Sequence, residues 1–350
     1  MSPLCTESLK LSSLGTLNMG TAVICVKTRA DVTLPTNCLV SWSDGDSVFH
    51  LLPQHDYARE KGDQSLDFQD EPEYDLIYEA GSASAVWTVG SEAICKVHAW
   101  KEGIQLESET IAFIREHFPT ISVPEVLYEW VDKSMNRSFL IMKRIHAHIL
   151  EVAWPQLSHQ QRLNIAKEVA DYTVLVANKT SRYYQTISGC GVAKPWLMQG
   201  YDFDGPIHSW FPRTIGPFSG PELRAHWTNI STTPPPAFDE PFVLYHDDQC
   251  PTNILVSDSG DNVAAIIDWA NVAYCPCFWV ATAPLTVGGF GFENGYENSR
   301  EWAVMLAEAL KMQGFEECVE EVRNWSKQTS HYDTEDDKLE WSKVQLNAHS

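Results

Sequence analysis

The sequence predicts a two-lobed α+β fold, with a small β-rich N-terminal lobe and a larger α-rich C-terminal lobe. Three observations predict it. From Leu76 to Ile145, short apolar runs alternate with glycine and serine turns, and one helical stretch interrupts them. Beyond residue 150, apolar residues recur at helical spacing. Two strand-like runs then return late, "NILVS" and "VAAIIDW", joined by the turn "DSGDN".

Along the chain, residues 1–70 read as an N-terminal extension to which no role attaches. Within it "TAVICVKT" and "NCLVSW" have the β-branched character of strands, and "DSVFHLLPQ" reads as a short helix. The acidic "DFQDEPEYD", residues 67–75, reads as a linker or an exposed lead-in. The smaller lobe spans residues 71–146. "LIYEAGSASAVWTVGSEAICKVHAW" gives three strands, with Val86, Trp87 and Val89 in the second and Ile94, Cys95 and Val97 in the third. A helix follows in "GIQLESETIAFIREHF", where Leu106, Ile111, Ile114 and Phe118 share a face and Pro119 ends it. "VPEVLYEW" and "SFLIMKRI" are two more strands.

The larger lobe spans residues 147–330. Its first long helix starts at a Ser158 cap with Gln161 three residues on, the arrangement of a capping box. Residues 187–240 are rich in Gly, Pro, Trp and Phe, with one helix in "PELRAHW". A single long helix is expected from about Ser299 to Ser326, and residues 331–350 form a polar tail.

Composition excludes several classes. The balance of 47 acidic against 25 basic residues gives a net charge of −22, which repels phosphate backbones and argues against nucleic-acid binding. No apolar run approaches the roughly 20 residues that span a bilayer, and the N-terminus lacks the pattern of a secretory signal. The nine cysteines are scattered, and Cys275-Pro276-Cys277 has neither zinc nor redox spacing. A soluble, cytoplasmic protein with reduced thiols is expected, with no membrane partner and an oligomeric state left open.

The chemistry-bearing stretch is "YHDDQCPTNILV", Tyr245 to Val256. Asp248 stands five residues before Asn253, just ahead of a strand, the spacing of a protein-kinase catalytic loop. Asp247, one residue farther from Asn253, is out of register. An aspartate so placed accepts a hydrogen bond from an attacking hydroxyl, and the asparagine supplies oxygen to Mg²⁺. Asp268 closes the apolar strand "AIIDW", where a carboxylate is costly unless paired, and Mg²⁺ would pair it. Lys96 in "EAICKVH" lies downstream of the small-residue turn "GSAS" and needs an anionic partner, for which Glu107 and Glu109 on the following helix are the candidates. His246 reads as an orienter of its loop and Cys250 as a small space-filler.

With these residues in hand, the chain resembles the aminoglycoside phosphotransferase family of protein-kinase-like small-molecule kinases, particularly its fungal branch. The resemblance covers roughly residues 76 to 326 and includes "GSASAVWTVGSEAICKV", "SFLIMKRI", "YHDDQCPTNILV" and "IIDWANVAYCPCFWVAT". It implies that residues 71–146 are a nucleotide-binding lobe and residues 147–330 a catalytic and substrate lobe. It further implies Asp248 as the catalytic aspartate, Asn253 and Asp268 as Mg²⁺ ligands, and Lys96 as the phosphate-contacting lysine. Glu107 would be its helix partner, Gly81 and Ser82 the phosphate turn, and backbone near Met142 and Ile145 the adenine contact. ATP is then the phosphate donor, and a hydroxyl of a small molecule the acceptor. Trp196, Phe203, Trp210 and Phe211 are candidates to line the acceptor pocket.

Two departures from the family pattern stand out: Asp247 replaces the usual glycine, and Ala270 a common glutamate. Asp247 adds negative charge beside Asp248, and together these changes leave a pseudokinase-type binding module as the alternative.

Overall fold

The structure, a computed structural model, describes residues 8–11, 17–31, 37–54, 72–80, 83–193, 212–292 and 298–327. In the smaller lobe, strands β6 (Tyr74–Ala80), β7 (Ser84–Val89), β8 (Ala93–Ala99), β9 (Val126–Asp132) and β10 (Arg137–Lys143) form an antiparallel sheet in the order β6-β7-β8-β10-β9. Period-two alternation splits each strand between two faces. Ala85, Trp87, Val89, Cys95, Val97, Phe139 and Ile141 pack on one face, while Ile94, Leu140 and Met142 join the core on the other. Lys96 shares the second face, since it alternates with Cys95 and Val97.

What covers the first face is the N-terminal extension. Strands β1 (Leu9–Leu11), β2 (Leu17–Met19), β3 (Val23–Arg29), β4 (Val40–Asp44) and β5 (Ser47–Pro53) form a second antiparallel sheet, ordered β1-β2-β3-β5-β4. Its Leu17, Met19, Val23, Cys25, Trp42, Phe49 and Leu51 share one buried cluster with the lobe residues above. The small lobe is thus a β-sandwich.

"DSVFHLLPQ", read from sequence as a helix, is strand β5. Phe49 and Leu51 face the sandwich interior, and His50 and Leu52 are buried on the opposite face. A strand covered on both faces loses its apolar–polar alternation, and its near-continuous apolar run then mimics a buried helix.

Two carboxylates tie the layers together. Asp44 accepts hydrogen bonds from the backbone N–H groups of Ser91 and Glu92 at 2.6 and 3.2 Å and from the Ser91 hydroxyl at 2.6 Å. Gly90 turns with φ +68°, and a Cβ there would stand 2.1 Å from Asp44 Oδ2, so only glycine admits this approach. Asp132 accepts from the Thr21 backbone N–H at 2.6 Å and from its hydroxyl at 2.7 Å.

Helix α1 (Glu107–His117) packs under the sheet, and Ile111 and Ile114 enter the core. Its first helical residue is Glu107, so the lysine partner stands in the first turn. The larger lobe holds α2 (His159–Ala177), α3 (Gly220–Ile230), α4 (Cys277–Thr286), α5 (Glu301–Met312) and α6 (Val319–Lys327). The Ser158–Gln161 capping box is present as expected. The predicted long C-terminal helix is two helices. Gly314 has φ +96°, the backbone N–H groups of Gln313 and Phe315 both donate to Leu310 O, and Cys318 N–H bonds the Thr282 hydroxyl at 2.9 Å as α6 begins.

Short strands frame the site. β11 (His148–Ile149) pairs with β16 (Ile254–Val256), which pairs with β17 (Val263–Ile266). β12 (Thr180–Ser181) pairs with β15 (Phe242–His246), which pairs with β18 (Val272–Cys275). β13 (Tyr183–Tyr184) pairs with β14 (Phe218–Ser219). The "DDQCPTN" loop connects β15 to β16, and Asp268 follows β17.

Candidate active site

Lys96 is 5% exposed, and its ammonium lies 2.8 Å from Glu107 Oε2 and 2.7 Å from Asp268 Oδ1. The three residues come from β8, the first turn of α1 and the end of β17, so the ion triad ties the two lobes together. Burial disfavours the charged lysine, but Asp268 and Glu107 outweigh it and hold the ammonium protonated well above its usual range. Burial likewise pushes Asp268 up, yet Lys96, with help from His98, holds its carboxyl down at about 2. Glu107 is raised by burial despite Lys96, and its Oε1 accepts the Trp269 backbone N–H at 2.9 Å. Glu107 is thus the carboxylate of α1 that pairs with Lys96.

Asp268 adopts the left-handed conformation, φ +62° and ψ +60°. Aspartate tolerates this region better than most residues, and such backbone concentrates at functional sites.

The loop geometry separates the two neighbouring aspartates. The Asp248 backbone N–H donates to His246 Nδ1 at 3.2 Å, so the imidazole proton sits on Nε2, which donates to Ile267 O at 3.1 Å. His246 is thus a buried orienter joining the loop to the residue before Asp268. Asn253 donates its side-chain N–H to Asp248 O at 2.9 Å, which turns its amide oxygen the other way. Asn253 O accepts the Ile267 N–H at 3.0 Å, which joins Asn253 to the residue before Asp268. The Asp247 carboxylate accepts the Trp279 indole N–H at 2.5 Å. That bond engages it with helix α4.

Met142 lies in β10, paired with Ile94 and Val126, and Ile145 follows it where the chain passes between lobes. Gly81, Ser82, Trp196, Phe203, Trp210 and Phe211 lie outside the described residues.

The sequence reading missed several site residues. His98 shares the face of Lys96, and its ligand atom lies with those of Glu107 and Asp268 within 4.8 Å of one another. Burial and Lys96 push its pKa down to about 3, so it stays neutral. Period-two alternation from Lys96 was a signal for it. Trp279, 32 residues beyond Asp247, had none. Cys250 donates its S–H to Asp248 Oδ1 at 2.8 Å and is more than a space-filler.

Glu129 on β9 accepts a hydrogen bond from Ser108 Oγ, and burial raises its pKa to about 7 from 4.5. The native state then holds this proton between about pH 4.5 and 7, where the unfolded chain has released it. Stability from this group is greatest below the lower value and falls as pH rises to the upper. Glu129→Gln is expected to flatten that fall, by about 2 kcal/mol across the window, in urea midpoints measured at pH 5 and pH 7.5. Parallel profiles for variant and native chain would mean that Glu129 titrates normally.

A two-lobed α+β fold with a lysine–glutamate–aspartate triad at the lobe junction and an HxDxxxxN loop beside it defines the kinase-like class of phosphotransferases. Residues 77–277 match the sequence profile of the phosphotransferase enzyme family, and the chain belongs to that family. No curated protein sequence matches the chain. Among solved structures it is similar to aminoglycoside-3'-phosphotransferase of type VIII, at 18% identity, TM-score 0.46, over 73% of this chain and 92% of that one. It is also similar to ADP-bound APH(2'')-Ib, at 11% identity and TM-score 0.44, over 84% and 96% of the two chains. APH(3'')-Id from Streptomyces rimosus gives 16% identity and TM-score 0.41, over 72% and 90%. Among the described residues no helix is long and apolar enough to cross a membrane.

Proposed function

We propose that the protein transfers the γ-phosphate of ATP to a hydroxyl of a small-molecule acceptor. The observation that carries this reading is Lys96 held between Glu107 and Asp268, with Asp248 on the adjoining loop. The nucleotide lies in the cleft between residues 71–146 and 147–330, its adenine against backbone near Met142 and Ile145 and its phosphates at Lys96. Asn253 and Asp268 offer the hard oxygen ligands that Mg²⁺ prefers, and the bond from Ile267 N to Asn253 O joins the segments that carry them. Bound there, Mg²⁺ neutralises phosphate charge.

In the step itself the acceptor oxygen bonds to the γ-phosphorus, and the phosphorus–oxygen bond to the β-phosphate breaks. The electron pair leaves on ADP, and the hydroxyl proton passes to the Asp248 carboxylate. The transition state is loose, so positioning by the loop and charge neutralisation do most of the work. Asp247 is occupied by Trp279, and the pseudokinase alternative draws no support from it. The cytoplasm is the compartment we assign, where the cysteines, all free thiols among the described residues, stay reduced.

Thermal unfolding with and without Mg-ATP tests the reading. Ligand at about 100 times Kd should stabilise the native chain by about 2.7 kcal/mol, and Lys96→Ala and Asp268→Ala should lose the shift. No shift in the native chain at any ATP concentration would sink it.

A further inference from the structure

We propose that Cys250 is a positioning residue for Asp248, its buried thiol fixing the plane of the carboxylate that meets the acceptor hydroxyl. The proposal rests on the phosphotransfer reading above. Cys250 is 5% exposed, and its sulfur stands 2.8 Å from Asp248 Oδ1, closer than sulfur and oxygen approach without a hydrogen bond between them. An aspartate rotates broadly about its last torsion. A donor on one oxygen removes that freedom and sets the direction of the other oxygen.

The sulfur is itself held firmly. Cys250 O accepts the Asn253 N–H at 2.9 Å, and Pro251 O accepts the Glu151 N–H at 3.1 Å. Gln249 O accepts the Trp302 indole N–H at 3.0 Å, and the Gln249 amide donates to the Thr173 hydroxyl at 2.8 Å. Gly289 closes the far side: a Cβ there would stand 3.1 Å from the sulfur, so the glycine leaves the thiol its place. A residue that merely filled space would not need its one polar atom aimed at the catalytic carboxylate. The contact also explains why a two-residue step from Asp248 suffices: the loop doubles back through Cys250 before Asn253 returns to the Asp248 carbonyl. Serine at this position would preserve a donor on a stem of the same length, and alanine would remove it.

The test compares Cys250→Ala and Cys250→Ser with the native chain, with a Tm for each to confirm folding. ADP release from Mg-ATP is followed with water alone and with the best acceptor from a panel of small hydroxylated metabolites. Cys250→Ala is expected to lower kcat by about tenfold or more, with KM for ATP within about twofold, because the carboxylate is misaligned while the nucleotide is still bound. Cys250→Ser is expected to recover kcat to within about threefold of native. In difference infrared spectra against Cys250→Ala, the S–H stretch should move to higher frequency in Asp248→Ala. Native kcat in Cys250→Ala, an equal loss in Cys250→Ser, or an S–H band indifferent to Asp248→Ala would each overturn the proposal and leave the kinase reading standing. A native chain that neither binds Mg-ATP nor releases ADP overturns the kinase reading, and the catalytic role with it.

Discussion

Asp248→Asn is expected to lower kcat by about 10²–10⁴-fold while leaving the Mg-ATP-induced rise in Tm intact. The asparagine keeps the size of the side chain and the backbone N–H that bonds His246, so the loop holds its shape. It cannot take the hydroxyl proton. Lys96 and Asp268 are untouched, so binding persists when turnover does not. The neighbouring change makes the contrast: Asp247→Asn keeps an oxygen that can accept the Trp279 N–H. Its kcat should stay within a few fold of native, because the Trp279 bond and the Asp248 carboxylate are both kept. Steady-state rates and thermal shifts on both variants decide the matter. If Asp247→Asn lost more activity than Asp248→Asn, the assignment of roles within the pair would be reversed.

The second large effect is on stability. Removing residues 1–54 strips the cover from Trp87, Val89, Val97, Phe139 and Ile141, which are between 0% and 3% exposed in the whole chain. Exposing a large apolar side chain costs about 1.5–3 kcal/mol, so five of them cost on the order of 10 kcal/mol. That equals the whole stability of an ordinary domain, about 5–15 kcal/mol. The shortened chain also loses Asp44 from the turn at Ser91 and Thr21 from Asp132. It is expected to be insoluble, or to lack a cooperative unfolding transition in the small lobe. A soluble shortened chain with a native Tm would mean that the second sheet is dispensable.

Much of this architecture was legible in the residues. Strands β6 to β10 were readable because they are short β-branched and aromatic runs bounded by glycine or polar turns. The Ser158 capping box announces α2 because its two hydrogen bonds are local. The spacing alone left Glu107 and Glu109 both open, and the Lys96 ion pair falls on Glu107. What was not legible depends on contacts distant in sequence. β5 looked helical because its second face is covered by packing that no local pattern encodes. The break at Gly314 was overlooked because a glycine inside an amphipathic run is tolerated often enough to be passed over. Trp279 holds Asp247 from across 32 residues, and only folding brings them together. Cys250 looked like filler because nothing in the local sequence shows that its sulfur meets Asp248.

The sandwich has a mechanical consequence. Two five-stranded layers pinned to each other at Asp44 and Asp132 make a laminated plate, far harder to bend than either ply alone. A plate of that stiffness cannot wrap a nucleotide by flexing its sheet. A movement of one lobe against the other is then expected to be a swing of the entire plate about the chain between Lys143, whose N–H is bonded to Glu125 O, and His148, which pairs with Val256. Amide exchange should accordingly show slow, uniform protection across β3, β5, β7 and β8 with or without Mg-ATP, and a ligand-dependent change concentrated at residues 144–147. Exchange that changed within the strands themselves would mean that the plate bends. A lever of this kind couples distant points rigidly: a load on the outer ply would be felt at Lys96 as a displacement of the whole inner sheet.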